Sequence, residues 1–315
     1  MSIVERALRR LQNSGQGRPP GSAVPREPRP PLRGSPSPAP VATEAAVPVT
    51  PAIPVAPVIP VARTAPTPSE SLPVSLEELR AAGVLPLPEH ADVLAAQFRR
   101  VKWPILQSVT AKHAEGGIAC NAVMVTSSVS GEGKTFTSLN LAMSIAAEKD
   151  YSVLLVDADV AKRHATRAFG AGDRDGLTDL LGDMRDPESL VLGTGIRGLT
   201  FMPSGRRQEL APELFASNRM LDVVRALSAA DRRRIVLFDT SPLLATNESQ
   251  VLAKVIDQVV LVVRAESTTQ PMVLEAVSLL DRSKEIRCIL NQAHASELAE
   301  YYYYGYGKGN ESQEG

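Results

Sequence analysis

Ser128-Val129-Ser130-Gly131-Glu132-Gly133-Lys134-Thr135 is the stretch on which the reading of this chain turns. It follows the apolar run Asn121 to Thr126, which reads as a buried strand, and it opens Lys134 to Glu148, which reads as a long helix. Gly131 and Gly133 let the backbone curl until successive N–H groups point at one spot. The helix that begins near Lys134 adds its positive dipole end to that spot. This is the pattern of a phosphate-binding loop, with Ser128 in place of its first glycine. Lys134 is expected to bridge the β- and γ-phosphates of a nucleotide, and the Thr135 hydroxyl to ligate Mg²⁺.

Strand and helix alternate outward from the loop. Ser152 to Asp157, Leu199 to Met202, Arg234 to Asp239, Gln258 to Val263 and Arg287 to Leu290 read as strands. Helices are expected over 75–82, over Ala91 to Lys102 with a stop at Trp103-Pro104, over Pro212 to Leu227, and near Gln270 to Leu280. Strands apolar on both faces and separated by helices imply an α/β fold, a mostly parallel sheet covered by helices on both sides. Asp157 and Asp159 fall just past one such strand, and Asp239 ends another. Ligands of open α/β sheets sit beyond the carboxyl ends of strands, so all three acids can converge on the loop. A carboxylate there can hold Mg²⁺, and one can accept a proton from an attacking hydroxyl.

The flanks have another character. Residues 1–14 read as a short amphipathic docking helix, with Ile3, Val4, Ala7, Leu8 and Leu11 on one face. Residues 15–74 read as a disordered linker, because 19–73 hold seventeen of the 25 prolines and no periodic apolar face. Residues 75–293 are left as one packed domain, and 294–315 as a flexible tail. The net charge of −1 argues against a nucleic-acid partner. Neither a signal peptide nor an apolar run of 18 residues occurs, so a cytoplasmic location without a membrane span is expected. Cys120 and Cys288 read as buried apolar thiols, and no role attaches to the scattered His90, His113, His164 and His294.

Taken together, the motifs resemble the deviant-Walker P-loop ATPases and, within them, the bacterial tyrosine kinases. Ser128 to Thr135, Asp157-Ala158-Asp159 and Asp239-Thr240-Ser241-Pro242 carry the likeness. Pro203-Ser204-Gly205 and Pro212-Glu213-Leu214 fall where the family has similar words. The resemblance implies ATP and Mg²⁺ as cofactors. It places Ser130, Gly131, Glu132, Gly133, Lys134, Thr135, Phe136 and Asn291 at the nucleotide, Asn291 against the adenine. It puts Thr135, Asp159 and Asp239 around the metal, with Asp157 as the base, although Asp157 and Asp159 could exchange roles. Tyr301, Tyr302, Tyr303, Tyr304 and Tyr306, five of the six tyrosines, match the autophosphorylated cluster of the family. The start Ser2 to Leu8 with its Pro-rich linker is similar to the exosortase-associated autokinases of exopolysaccharide synthesis. That branch implies a membrane polysaccharide co-polymerase as activator, recruitment to the inner membrane face, and transfer between copies in a homo-oligomer.

Two departures stand out. The Arg that the family carries after its D-x-D falls at Ala161, with Lys162 and Arg163 beyond, so the basic role there is shifted or lost. On the assembly helix Ala96 takes the place of a Glu, with Arg99 and Lys102 at the basic positions. A non-kinase switch of the partitioning and division-site type is the alternative. Its signature lysine would occupy position 129, where this chain has Val129.

Overall fold

The computed structural model describes residues 68, 70–114, 121–183, 185–206, 211–256 and 258–293. The expected N-terminal helix, most of the linker, Cys120, His294 and the tyrosine tail lie outside the described residues. Seven strands form one sheet: β1 (Ala122–Ser127), β2 (Ser152–Ala158), β3 (Leu192–Gly193), β4 (Leu199–Met202), β5 (Arg234–Thr240), β6 (Gln258–Arg264) and β7 (Glu285–Asn291). Their order is β3-β4-β2-β5-β1-β6-β7. Every pairing is parallel except that of β3 with β4. Residues of β1 and β5 are buried throughout, which is why these strands carry continuous apolar runs instead of an alternation.

The helices are α1 (Leu76–Ala81), α2 (Pro88–Ala114), α3 (Lys134–Ala146), α4 (His164–Ala168), α5 (Leu177–Gly182), α6 (Ala211–Ala216), α7 (Asn218–Ala230), α8 (Asn247–Val255) and α9 (Gln270–Ser278). Ser75 caps α1 as expected, accepting from the N–H groups of Glu77 and Glu78. The expected fold class, a mostly parallel sheet with helices on both faces, is the one observed.

Helix α2 runs through the expected stop at Trp103-Pro104. An interior proline costs about 3 kcal/mol. Beyond it Ile105, Leu106 and Val109 are all buried, and each contributes roughly 1.5–3 kcal/mol. Burial therefore outweighs the break. On the same helix the Lys102 ammonium is buried, donating to Ser144 O at 2.7 Å and pairing with Glu148 at 2.7 Å. The helix expected over Pro212 to Leu227 is instead α6 and α7, parted at an extended Ser217. The Ser217 hydroxyl bonds back to Leu214 O at 2.6 Å, the local competition that makes serine a helix breaker.

The folded unit also takes in the end of the expected linker. Leu72 N–H donates to Gly193 O at 2.7 Å, and Gly193 N–H to Glu70 O at 2.8 Å, along the free edge of β3. Leu72 is buried there, and Glu70 pairs with Arg174.

Candidate functional site

The carboxyl ends of β1, β5 and β2 lie side by side, and the site is assembled on them. Between β1 and α3 the loop turns on Gly131 and Gly133, both at φ +88°. The positive φ favours glycine at 133, and a Cβ built there would lie 2.1 Å from Asn291 Nδ2 and push that amide aside. Gly133 caps α3 with no side-chain acceptor. The first turn of the helix therefore presents its N–H groups toward whatever occupies the loop.

Glu132 is almost fully buried, and its carboxylate braces the loop. It accepts from Val129 N–H at 2.7 Å, from Arg264 N–H at 3.2 Å and from the Thr268 hydroxyl at 2.5 Å. Of the expected nucleotide-binding residues, Glu132 thus spends its side chain on holding the loop to the end of β6. Asn291, at the end of β7, donates to Glu132 O at 2.9 Å. Asn291, Gly133 and Phe136 line a cavity of about 600 Å³ together with His90, Gln97 and Gln292. Loop and cavity are contiguous at Gly133, as phosphate and base subsites of one nucleotide would be.

The three aspartates converge. Asp157 and Asp239 are partners in the β2–β5 register. Asp157 Oδ2 accepts from both the N–H and the hydroxyl of Thr166 at 2.7 Å, and Oδ1 from Asp159 N–H at 3.1 Å. The Thr166 hydroxyl in turn accepts from Ser204 N–H at 2.9 Å, which ties Pro203-Ser204-Gly205 to the site. Burial pushes the Asp157 carboxyl up to about 6 against the pull of Thr166, and the charge of Asp159 adds to the rise. Asp239 accepts from Ser138 Oγ at 3.0 Å through Oδ1. Burial and then the charge of Asp157 push its carboxyl up to about 7, while Thr135 and Lys134 pull it down. Asp159 Oδ1 accepts from Ser241 Oγ at 2.9 Å and from Lys162 N–H at 3.2 Å.

Asp239 Oδ2 is buried and meets no hydrogen-bond donor among the described residues. An orphaned carboxylate oxygen beside Thr135 and Asp159 fits a hard divalent cation. Among the described residues no three His, Cys, Asp or Glu side chains close a cage of their own. Such a centre suits Mg²⁺, which keeps waters and takes phosphate oxygens alongside one or two carboxylates. Cys288 is half-buried, and burial pushes its thiol up to about 11, in line with an inert packing role.

Several residues at the site were not singled out by the sequence. Ser138 had a usable signal, one helical turn after Lys134 on the same face. Thr166, His90 and Gln97 had none, since only the fold brings them to the loop.

The CobQ/CobB/MinD/ParA nucleotide binding domain matches residues 123–281. The tyrosine-protein kinase YwqD of Bacillus subtilis is 34% identical over 186 residues, covering 58% of this chain and 77% of that one. The putative tyrosine-protein kinase EpsB of Ralstonia nicotianae is 34% identical over 188 residues, 59% of this chain but 24% of its own length. This chain thus matches about a quarter of the latter protein. Among solved structures, the VpsO kinase domain is 31% identical with a TM-score of 0.50, covering 62% of this chain and 98% of that domain. The kinase domain of the Escherichia coli tyrosine kinase ETK is 25% identical, with a TM-score of 0.50, covering 59% and 74%. The chain belongs to the CobQ/CobB/MinD/ParA nucleotide-binding family and, within it, to the bacterial protein-tyrosine kinases.

Proposed function

We propose that this chain is an ATP- and Mg²⁺-dependent tyrosine autokinase whose acceptors are Tyr301, Tyr302, Tyr303, Tyr304 and Tyr306 of a second copy. The observation that carries the reading is the convergence of Asp157, Asp159 and Asp239 with Lys134 and Thr135 at adjoining strand ends. The backbone of Ser130 to Thr135 cradles the phosphates, Lys134 bridges the β- and γ-phosphates, and the base enters the cavity between Phe136 and Asn291. Thr135, Asp159 and Asp239 hold Mg²⁺, which supplies charge neutralisation at the transferred group. A tyrosine oxygen bonds to the γ-phosphorus, the bond from that phosphorus to the β–γ bridging oxygen breaks, and ADP leaves. The tyrosine proton goes to Asp157, whose carboxyl burial pushes up to about 6. Positioning and charge neutralisation do most of the work in such a transfer.

Each phosphate adds roughly −1.5 to −2 charges, so a loaded tail is repelled from the three aspartates and leaves the site. With Ala96 in place of an acid and Lys102 committed to Ser144 and Glu148, the copies meet through other contacts of α2 or through brief encounters. No described helix is long and apolar enough to cross a membrane. We place the kinase in the cytoplasm, held at the membrane face by a polysaccharide co-polymerase that activates it, where it regulates exopolysaccharide or capsule polymerisation and export. The curated relatives and Val129 both favour this reading over a partitioning-type switch.

The test is incubation with Mg-ATP followed by mass spectrometry of the C-terminal peptide, with Lys134→Ala and Asp157→Ala alongside. Phosphate on the tail that disappears in both variants is the expected result. A clean tail beside steady ATP hydrolysis, with and without a co-polymerase peptide, sinks the autokinase and leaves the switch.

A further inference from the structure

Lys162 reaches across the site from the loop after β2. Its ammonium donates to Ser130 Oγ at 3.0 Å, although the two residues are 32 positions apart. Its main-chain N–H is tied to Asp159 Oδ1 at 3.2 Å, which fixes the root of the side chain beside the proposed metal ligands. The residues beside it in the chain, and Val129 in the loop, do not do the same. Ala161 carries no charge, and Val129 gives the phosphate loop no cation in its first half. Arg163 is turned away at φ +52°, donating Nε to Ser204 Oγ at 3.0 Å and its Nη2 to Gly172 O at 2.7 Å.

An exposed ammonium gains little from a neutral hydroxyl, because water competes on equal terms. A phosphate oxygen is a charged acceptor and outbids the hydroxyl. We propose that Lys162 is a second phosphate-contacting cation, which leaves Ser130 for an oxygen of the terminal phosphate when the nucleotide binds. Its anchoring to Asp159 sets it at the transferred end of the nucleotide, where charge spreads over the equatorial oxygens during transfer. The inference rests on the nucleotide-binding reading of the site and not on tyrosine as the acceptor.

The test compares wild type, Lys162→Ala and Lys162→Arg by equilibrium binding of Mg-ADP and of a Mg-bound, non-hydrolysable ATP analogue. Lys162→Ala is expected to weaken the analogue about tenfold or more and Mg-ADP less than about twofold, and Lys162→Arg to recover most of the loss. Equal loss for both ligands, or none for either, overturns the proposal. An unchanged melting temperature in Lys162→Ala excludes misfolding, which the exposure of the side chain already disfavours. Because binding is read without any acceptor, a discriminating Lys162 beside a clean tail would refute the autokinase alone. A wild type that binds neither nucleotide would refute both.

Discussion

Asp157 on β2 and Asp239 on β5 stand opposite one another in the parallel ladder, both fully buried, and the charge of Asp157 adds to the proton affinity that burial gives Asp239. Their carboxyls sit at about 6 and about 7, against 3.8 for a free aspartate. Hydrogen bonds from Thr166 and Ser138 and the charge of Lys134 offset part of that burial, and a bound divalent cation is expected to offset more.

The pH dependence follows from the sign of those shifts. Folded carboxyls that bind protons more tightly than unfolded ones contribute stability below about pH 4, and that contribution is lost as pH rises through 6 to 7. Asp239→Asn is therefore expected to melt higher than wild type near pH 8, and the difference should shrink toward pH 5. The same variant should lose Mg²⁺-dependent nucleotide binding. Thermal melts from about pH 5 to pH 8, with and without Mg-ADP, check both halves, and parallel curves for the two proteins would refute the first.

Gly131 and Gly133 share φ +88° but differ in surroundings. No atom lies near a Cβ built at Gly131, so Gly131→Ala should cost about 1–2 kcal/mol of backbone strain. Gly133→Ala meets the same strain and a 2.1 Å collision with Asn291 Nδ2, so it should cost more and displace the side chain beside the base cavity. Denaturant melts and nucleotide binding of the two variants measure the gap, and Asn291→Ala should close most of it.

Thr166 holds Asp157 through both its N–H and its hydroxyl. Thr166→Val keeps the first bond and removes the second. The expected outcome is a fall in kcat of roughly tenfold or more with Mg-ADP affinity nearly unchanged. Thr166→Ser should restore kcat, and a Thr166→Val enzyme with wild-type kcat would show the hydroxyl to be incidental.

Glu132 gives three donors their acceptor. In Glu132→Gln the amide nitrogen must face a donor, so at least one buried N–H or hydroxyl is left unpaired, at about 1–3 kcal/mol. Urea melts should register that loss, with weaker nucleotide binding as the loop loosens from β6.

Much of the architecture could be read before any coordinates. The runs at β1, β2, β5 and β6 are apolar on both faces, and such strands have few homes other than a covered parallel sheet. The pieces that escaped notice are short. Strand β3 and helices α4 and α5 lack the length over which a period can show, and they form because β4 and the Pro203 to Arg206 loop give them a surface. The half of helix α2 beyond Pro104 escaped for the opposite reason, since the local stop was overridden by the burial of Ile105, Leu106 and Val109 in a core made by residues distant in sequence.

The sequence by itself determined the chemistry of the phosphate loop. Glycines at positive φ, a lysine and a threonine at the start of a helix, and a strand before them are all local, and local geometry is encoded by neighbours in the chain. It also determined that acids would lie at strand ends. Only the tertiary structure decided what each acid can do. Burial and the charge of a facing aspartate come from the β2–β5 register, and the commitment of Asp157 to Thr166, of Asp159 to Ser241 and of Glu132 to Thr268 comes from loops distant in sequence. Proton affinity and hydrogen-bond supply depend on what surrounds a group in space, and a linear pattern does not carry that.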